Sequence, residues 1–257
     1  MQIRPFLRGI RLLREDVPDF GRYPFHIPAI RQLDELSFHE GVTFLVGENG
    51  MGKSTLMEAI AVACGFCPEG GGRNFRLETR ATHSVLYRYL RPLRGPLPPR
   101  DGYFLRAESF YNVATYIDEL DEVPAFAGPL SAAYGGSLHE RSHGESFFAL
   151  LCNRLGGDGL YLFDEPEAGL SAQRQLAMLP QMHRLVKAGS QFIIATHSPI
   201  LPAYPASVIY QLSEAGIRRV SYEETDAYQI TRRFLNQPAP MIRQLLQEEE
   251  TPPPPGG

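Results

Sequence analysis

The chain has 257 residues, room for one large domain or two small ones. It is 43% hydrophobic and 21% charged, ordinary values for a chain that buries a sizeable core, and no apolar run approaches the ~20 residues of a membrane span. Its 25 basic and 29 acidic residues leave a net charge of −4, which gives no global pull toward nucleic acid.

Residues 1–46 alternate short apolar runs with turn residues, beginning with a stretch (Met1 to Glu15) that has arginines but no long apolar run of a secretory leader. No membrane insertion and a cytoplasmic address are the expectations. Three cysteines, an odd count, suit a reducing compartment. Val42 to Val46 is β-branched and aromatic and reads as a buried strand. Lys53 to Phe66 is helical by composition and is closed by Gly65 and the Pro68–Gly72 breaker. Residues 73–106 hold eight Arg against Glu78 and Asp101, with a Pro-rich loop from Pro92 to Pro99. A strand follows at Gly102 to Ala107, then a helix at Tyr111 to Leu120. The Gly-rich link from Ala127 to Gly136 leads to a helix starting near Ser142. Strands are expected at Leu160–Phe163, Gln191–Thr196, Ser207–Leu212 and Ile217–Tyr222, with helices between the first two and after the last. Alternating strands and helices argue for an α/β fold with a mainly parallel core sheet. The Pro/Gly tail, 251–257, reads as disordered.

The chemistry concentrates in a few segments. Gly47-Glu48-Asn49-Gly50-Met51-Gly52-Lys53-Ser54-Thr55 matches G-x-x-x-x-G-K-[ST] and lies between a strand and a helix, where that motif must lie. Its glycines let backbone N–H groups fold around phosphate oxygens at a helix N-terminus. Lys53 would reach the β- and γ-phosphates and the Ser54 hydroxyl would bind Mg²⁺. Lys53 and Lys187 are the only lysines beside 23 arginines, which singles Lys53 out further. Asp164 and Glu165 follow an apolar strand, at the edge where open α/β sheets bind ligands. Asp164 would hold the Mg²⁺ hydration shell, and Glu165 would orient or deprotonate a water. Ser142 and Glu145 fit an S-x-x-E capping box, with Gly144 between them, at a helix start that could also face an anion. His197 stands directly after an apolar strand.

A P-loop with Asn49-Gly50, a Ser142-x-Gly144-Glu145 segment, an Asp164-Glu165-Pro166 pair and His197, in that order, resemble the ABC-type ATPases. The likeness is closer to their soluble branch, the SMC and RecF-like heads, and closest to small stand-alone bacterial proteins called predicted AAA-family ATPases, over about residues 3–245. The resemblance implies a P-loop NTPase domain over 1–250, with N-terminal antiparallel strands and a small inserted lobe at 67–135. It implies Mg²⁺-dependent ATP hydrolysis and an ATP-dependent homodimer that drives a protein partner or a nucleic-acid transaction. Ser142, Gly144 and Glu145 would contact the γ-phosphate held by a partner protomer, Ala168 to Ser171 would cross the interface, and His197 would sense γ-phosphate.

Two features depart from the family. No Gln occurs between Gln32 and Gln173, so the usual loop glutamine is missing, and Glu108 is the nearest replacement as a water or Mg²⁺ contact. The stretch between Thr55 and Ser142 is too short for coiled-coil arms. His139-Glu140-Arg141-Ser142-His143 is a literal H-E-x-x-H, but a zinc site needs both histidines on one continuous helix, and here they straddle a helix start. Cys64-x-x-Cys67 lacks a second ligand pair and reads as a helix end. Tyr23 or Phe25 could stack on adenine or belong to the core. The Arg73–Arg106 stretch could contact DNA, as a repair or chromosome-associated head would, or be a solvated face. A transporter's nucleotide-binding subunit is a further alternative, weakened by the missing Gln. A small-molecule kinase would leave Ser142 and His197 unexplained.

Overall fold

The computed structural model describes residues 5–73, 84–121, 129–136 and 143–249. In chain order these form β1 (Leu7–Leu12), α1 (Pro28–Arg31), β2 (Glu35–Ser37), β3 (Val42–Val46), α2 (Lys53–Ala63), β4 (Gly71–Gly72), β5 (Leu90–Arg94), β6 (Asp101–Arg106) and α3 (Phe110–Asp121). There follow α4 (His143–Ala149), continued by a π-helical turn over Leu150–Arg154, then β7 (Gly159–Asp164), α5 (Ala172–Lys187), β8 (Gln191–Thr196), β9 (Val208–Ser213), β10 (Gly216–Val220), α6 (Asp226–Asn236) and α7 (Pro238–Glu249). The strands expected at Val42–Val46 and Gln191–Thr196 have these limits, and the others differ by a residue or two at their ends.

The main sheet runs β10-β9-β3-β8-β7-β6-β4. Its pairs β9·β3, β3·β8, β8·β7 and β7·β6 are parallel, and only the outer pairs β10·β9 and β6·β4 are antiparallel. β3, β7 and β8 are buried at every position. That is why they read as unbroken apolar runs: a parallel sheet is covered on both faces. Side chains alternate between two cores. Phe44, Tyr161, Phe163, Phe192 and Ile194 meet α3, α4 and α5 through Ile117, Phe147, Met178 and Met182. Leu45, Leu162, Ile193 and Ala195 meet Leu56, Met57 and Ile60 of α2 and, beyond them, Ile10 and Leu12 of the small sheet.

That small sheet, β2-β1-β5, is antiparallel throughout. The stretch 67–135, expected as an inserted lobe, does not stand apart in its described residues. β4 and β6 pair into the main sheet, β5 pairs with β1, and Val113 and Ile117 of α3 join the main core. Pro92, expected in a loop, lies within β5. β5 is an edge strand, and an edge tolerates a residue with no N–H to donate. Residues 137–142 and the tail 250–257 lie outside the described residues. Among the described residues no helix is long and apolar enough to cross a membrane.

Gln191 ties the two sheets together. Its side-chain oxygen accepts from Leu7 N (2.9 Å), while Nε2 donates to Leu7 O (2.8 Å) and His39 O (2.9 Å), all from a fully buried position at the start of β8. Replacing it by an apolar isostere leaves one N–H and two C=O groups without their partner, at about 1–3 kcal/mol for each buried group that water cannot reach. Gln191→Leu is expected to lower unfolding free energy by about 3 kcal/mol, read as a drop in urea midpoint with unchanged slope.

Candidate functional site

The parallel strands all end at one edge. The loop after β3 and the first turn of α2 carry Gly47–Thr55, the loop after β7 carries Glu165–Ser171, and that after β8 carries His197. Gly47, Gly50 and Gly52 hold φ values of 145°, 80° and 88°, backbone that side-chain-bearing residues rarely adopt. At Gly52, the cap of α2, a Cβ would also lie 2.7 Å from Ile27 Cγ2. The glycine spacing is therefore a backbone requirement. The amides of the first turn of α2 have no partner within the helix and point with its dipole toward the loop. Lys53 is buried and folds back over the loop, Nζ donating to Glu48 O at 2.8 Å. Burial lowers its pKa, while Glu165, Asp164 and Glu167 act in the opposite sense.

Asp164 ends the buried strand β7 and is itself buried. The Ser54 hydroxyl donates to Asp164 Oδ1 at 3.1 Å across a separation of 110 residues. Burial pushes the Asp164 pKa up to about 7; the Ser54 hydrogen bond and Arg106 resist the rise, and Glu165 and Glu108 add to it. A hydroxyl and a carboxylate converging on one point form the hard-oxygen pair that Mg²⁺ takes. A cation there would relieve the penalty that raises the carboxyl, so the residues fit the metal.

Glu165 follows in left-handed backbone (φ 54°), its N–H donating to Ala195 O at 2.9 Å. Oε1 lies 3.0 Å from His197 Nε2, and both side chains are about one-third exposed, at 36% and 32%. A carboxylate and an imidazole in contact, open to solvent, beside a buried lysine can accept a proton from a bound water. Glu167, which the motif reading did not single out, accepts from His197 N at 2.6 Å and from Ser198 N at 3.2 Å. Its only signal was a second carboxylate two residues after Glu165. Arg106 was also missed: it joins Glu58 of α2 (2.7 Å), Pro68 O (3.3 Å) and Glu108 (3.2 Å) at the end of β6, paired in register with Asp164.

The remaining residues divide. Glu108 follows β6 on this edge, but its side chain is 81% exposed and held by Arg106. Gly144 begins α4 against the loop after β7: a Cβ there would lie 3.0 Å from Gly169 O and 2.7 Å from Arg174 Nη1. Glu145 pairs with Arg174 at 3.3 Å, and Ser171 caps α5 by accepting from Arg174 N at 3.3 Å. Gly144 thus sits against the 168–171 loop of its own chain and Glu145 against the start of α5; Ser142, with His139 and Glu140 of the H-E-x-x-H, lies outside the described residues. Phe25 is core, stacked edge-on against Tyr89 at 5.0 Å. Tyr23 is 61% exposed, and its hydroxyl is 3.4 Å from Thr55 Oγ1 at the rim of the loop. Cys64 and Cys67 are buried at the end of α2, where burial pushes the Cys64 thiol up to about 11.

A family described as an AAA domain matches residues 24–89, the span from α1 through the phosphate loop and α2. This match covers the phosphate loop and agrees with a P-loop ATPase resemblance there. No curated protein matches the chain. Among solved structures the chain is similar to CbiO1 from Clostridium perfringens, part of an ABC transporter complex, at 17% identity and TM-score 0.43, covering 84% of this chain and 91% of that one. It is also similar to an SMC head bound to the C-terminal winged-helix domain of ScpA, at 12% identity and TM-score 0.39, covering 72% and 92%. A dimeric bacterial ABC transporter cassette is similar at 16% identity and TM-score 0.41, covering 74% and 90%.

Lys53 folds directly over the loop that would cradle phosphate. Lys53→Ala is expected to abolish ATP binding at micromolar nucleotide, measured by titration calorimetry; an unchanged affinity would remove the loop from the site.

Proposed function

We propose that this chain is an Mg²⁺-dependent ATPase of the ABC type, from the soluble SMC- and RecF-like branch, hydrolysing ATP held between two copies. One observation carries the reading. The Ser54–Asp164 contact at 3.1 Å and the Glu165–His197 contact at 3.0 Å stand at the same sheet edge as the Lys53 loop. That grouping supports a site in which Ser54 and Asp164 would hold a metal, Glu165 would accept a proton and the loop would cradle phosphate, the parts that phosphoryl transfer to water uses.

In this reading the backbone amides of Gly47–Thr55 and Lys53 bind the β- and γ-phosphates, Lys53 exchanging Glu48 O for phosphate oxygen. Ser54 and Asp164 would hold Mg²⁺, which neutralises charge on the phosphate oxygens when bound. Glu165 takes a proton from the attacking water as its oxygen bonds to the γ-phosphorus, and the bond from that phosphorus to the bridging oxygen breaks to release ADP. His197 steadies Glu165 from the neighbouring loop. By resemblance, Ser142 and Gly144 of a second copy close the site from the other side.

A second reading, in which hydrolysis serves a DNA transaction, draws on the exposed edge strand of the small sheet. Arg91 and Arg94 stand exposed on β5, and Arg91 lies opposite Arg11 in register.

Removing the proton acceptor should stop cleavage while leaving the phosphate contacts in place. Glu165→Gln is expected to hydrolyse ATP about 10²- to 10⁴-fold more slowly. It should accumulate as an ATP-bound dimer by light scattering in ATP–Mg²⁺, whereas Ser142→Arg should bind ATP and stay monomeric. A Glu165→Gln protein that holds ATP yet remains monomeric at tens of micromolar would overturn the sandwich. The DNA reading expects the trapped dimer to retain duplex DNA at low salt and to lose it in Arg91→Glu/Arg94→Glu; no retention at low salt rejects that reading.

A further inference from the structure

Glu167 lies in the turn that carries Glu165, yet its carboxylate reaches the turn after the neighbouring strand. Oε1 accepts from two successive amides, His197 N at 2.6 Å and Ser198 N at 3.2 Å. Oε2 is shielded from solvent and has no hydrogen-bond partner among the described residues. A carboxylate placed this way gives up hydration, and what it gains is a grip on the backbone at the point where β8 ends.

The turn it grips is otherwise organised around Ser198. Thr196 Oγ1 accepts from Ser198 N (3.0 Å), Ser198 Oγ accepts from Ile200 N (2.9 Å) and Leu201 N (3.2 Å), and it donates to Gln175 Oε1 (2.6 Å). These bonds fix the backbone after His197. Glu167 acts at His197 itself. The Glu165 turn closes on itself through Ala168 N to Glu165 O (3.0 Å) and Leu170 N to Glu167 O (2.8 Å), so Glu165 and Glu167 belong to one hydrogen-bonded turn. The two loops are therefore tied at two places, Glu165 N to Ala195 O and Glu167 Oε1 to His197 N. Between those ties lies the Glu165–His197 side-chain contact.

We propose that Glu167 is a positioning residue that fixes the His197 backbone so that its ring meets Glu165. This rests on the ATPase reading for its effect on turnover but not for its effect on the loop. Glu167 makes no hydrogen bond to the phosphate loop among the described residues, its charge acting on Lys53 only from a distance, and its effect on the Glu165 contact passes through His197.

The test uses the full chain in four forms: wild type, Glu167→Ala, Glu167→Gln, and Glu167→Ala combined with His197→Ala. In nucleotide-free protein, Glu167→Ala is expected to speed amide hydrogen exchange at His197 and Ser198 by about tenfold or more, and to shift the His197 ring resonances. Turnover should fall about 10- to 100-fold in kcat with KM for ATP within about twofold, the pattern of a lost transition-state interaction. Because the effect passes through His197, Glu167→Ala should cost less than about twofold when added to His197→Ala. Glu167→Gln keeps an oxygen acceptor at the same reach and should recover most of the loss, which separates positioning from a general loss of folding. Unchanged exchange at His197 and Ser198 in Glu167→Ala overturns the proposal, as do kcat losses that multiply in the double variant. A wild-type protein that hydrolyses no ATP would overturn the ATPase reading instead, and the exchange and ring resonances would then decide the proposal by themselves.

Discussion

A carboxylate at the end of a buried strand is expensive, and the arrangement around Asp164 is built to bear that cost. The strand that delivers it is apolar on both faces because sheet and helices enclose it, so burial is not optional. Its one hydroxyl partner comes from Ser54, and the guanidinium of Arg106 acts on it from the adjacent strand. With those alone the pKa stays raised to about 7. Burial thus outweighs the groups that favour the charged form, and the Mg²⁺ of the proposed function would act in the same direction as Ser54 and Arg106.

Everything else at the site depends on which strands flank that one. β7 lies between β8 and β6, and β8 lies next to β3, all parallel. Parallel pairing puts the C-terminal ends together, so four loops far apart in sequence meet along one line. A hairpin arrangement of the same strands would have sent alternate loops to the opposite edge. The apolar content of each strand buys burial, but the parallel order is what places Lys53, Asp164 and His197 side by side.

The legible parts of the sequence were those whose geometry is local. The glycine spacing of Gly47–Gly52 encodes left-handed backbone residue by residue, and the loop has those angles. Strands buried on both faces announced themselves as continuous apolar runs, and two were delimited to the residue. What was not legible depends on partners distant in sequence. Pro92 and Gly71-Gly72 carry loop chemistry, yet each lies in an edge strand because β1 and β6 supply the pairing. Tyr23 and Phe25 were equivalent in sequence, and only the position of Tyr89 and of Thr55 separates the buried ring from the exposed one. Arg106 gave no local sign of joining α2, the 68–70 turn and Glu108.

The left-handed backbone at Glu165 draws these points together. A non-glycine residue there is strained, at roughly 1–3 kcal/mol, and such strain persists only where neighbours over-determine it. The neighbours are identifiable. Glu165 N is held by Ala195 O, the turn is closed by Ala168 and Leu170, and the ring of His197 meets the side chain at 3.0 Å. Glycine would relieve the strain but would remove the carboxylate. An Asp would keep a charge, but one methylene shorter than the side chain that spans to His197. The sequence therefore retains Glu in a conformation that disfavours it, with Pro166 immediately after to stiffen the turn. The strain lies at the residue whose carboxylate must be aimed outward, one position beyond a residue whose carboxylate must stay buried. Two adjacent acids at one strand end thus stand in different environments, Asp164 buried and Glu165 about one-third exposed, and under the proposed function that division separates a metal-holding group from a proton acceptor.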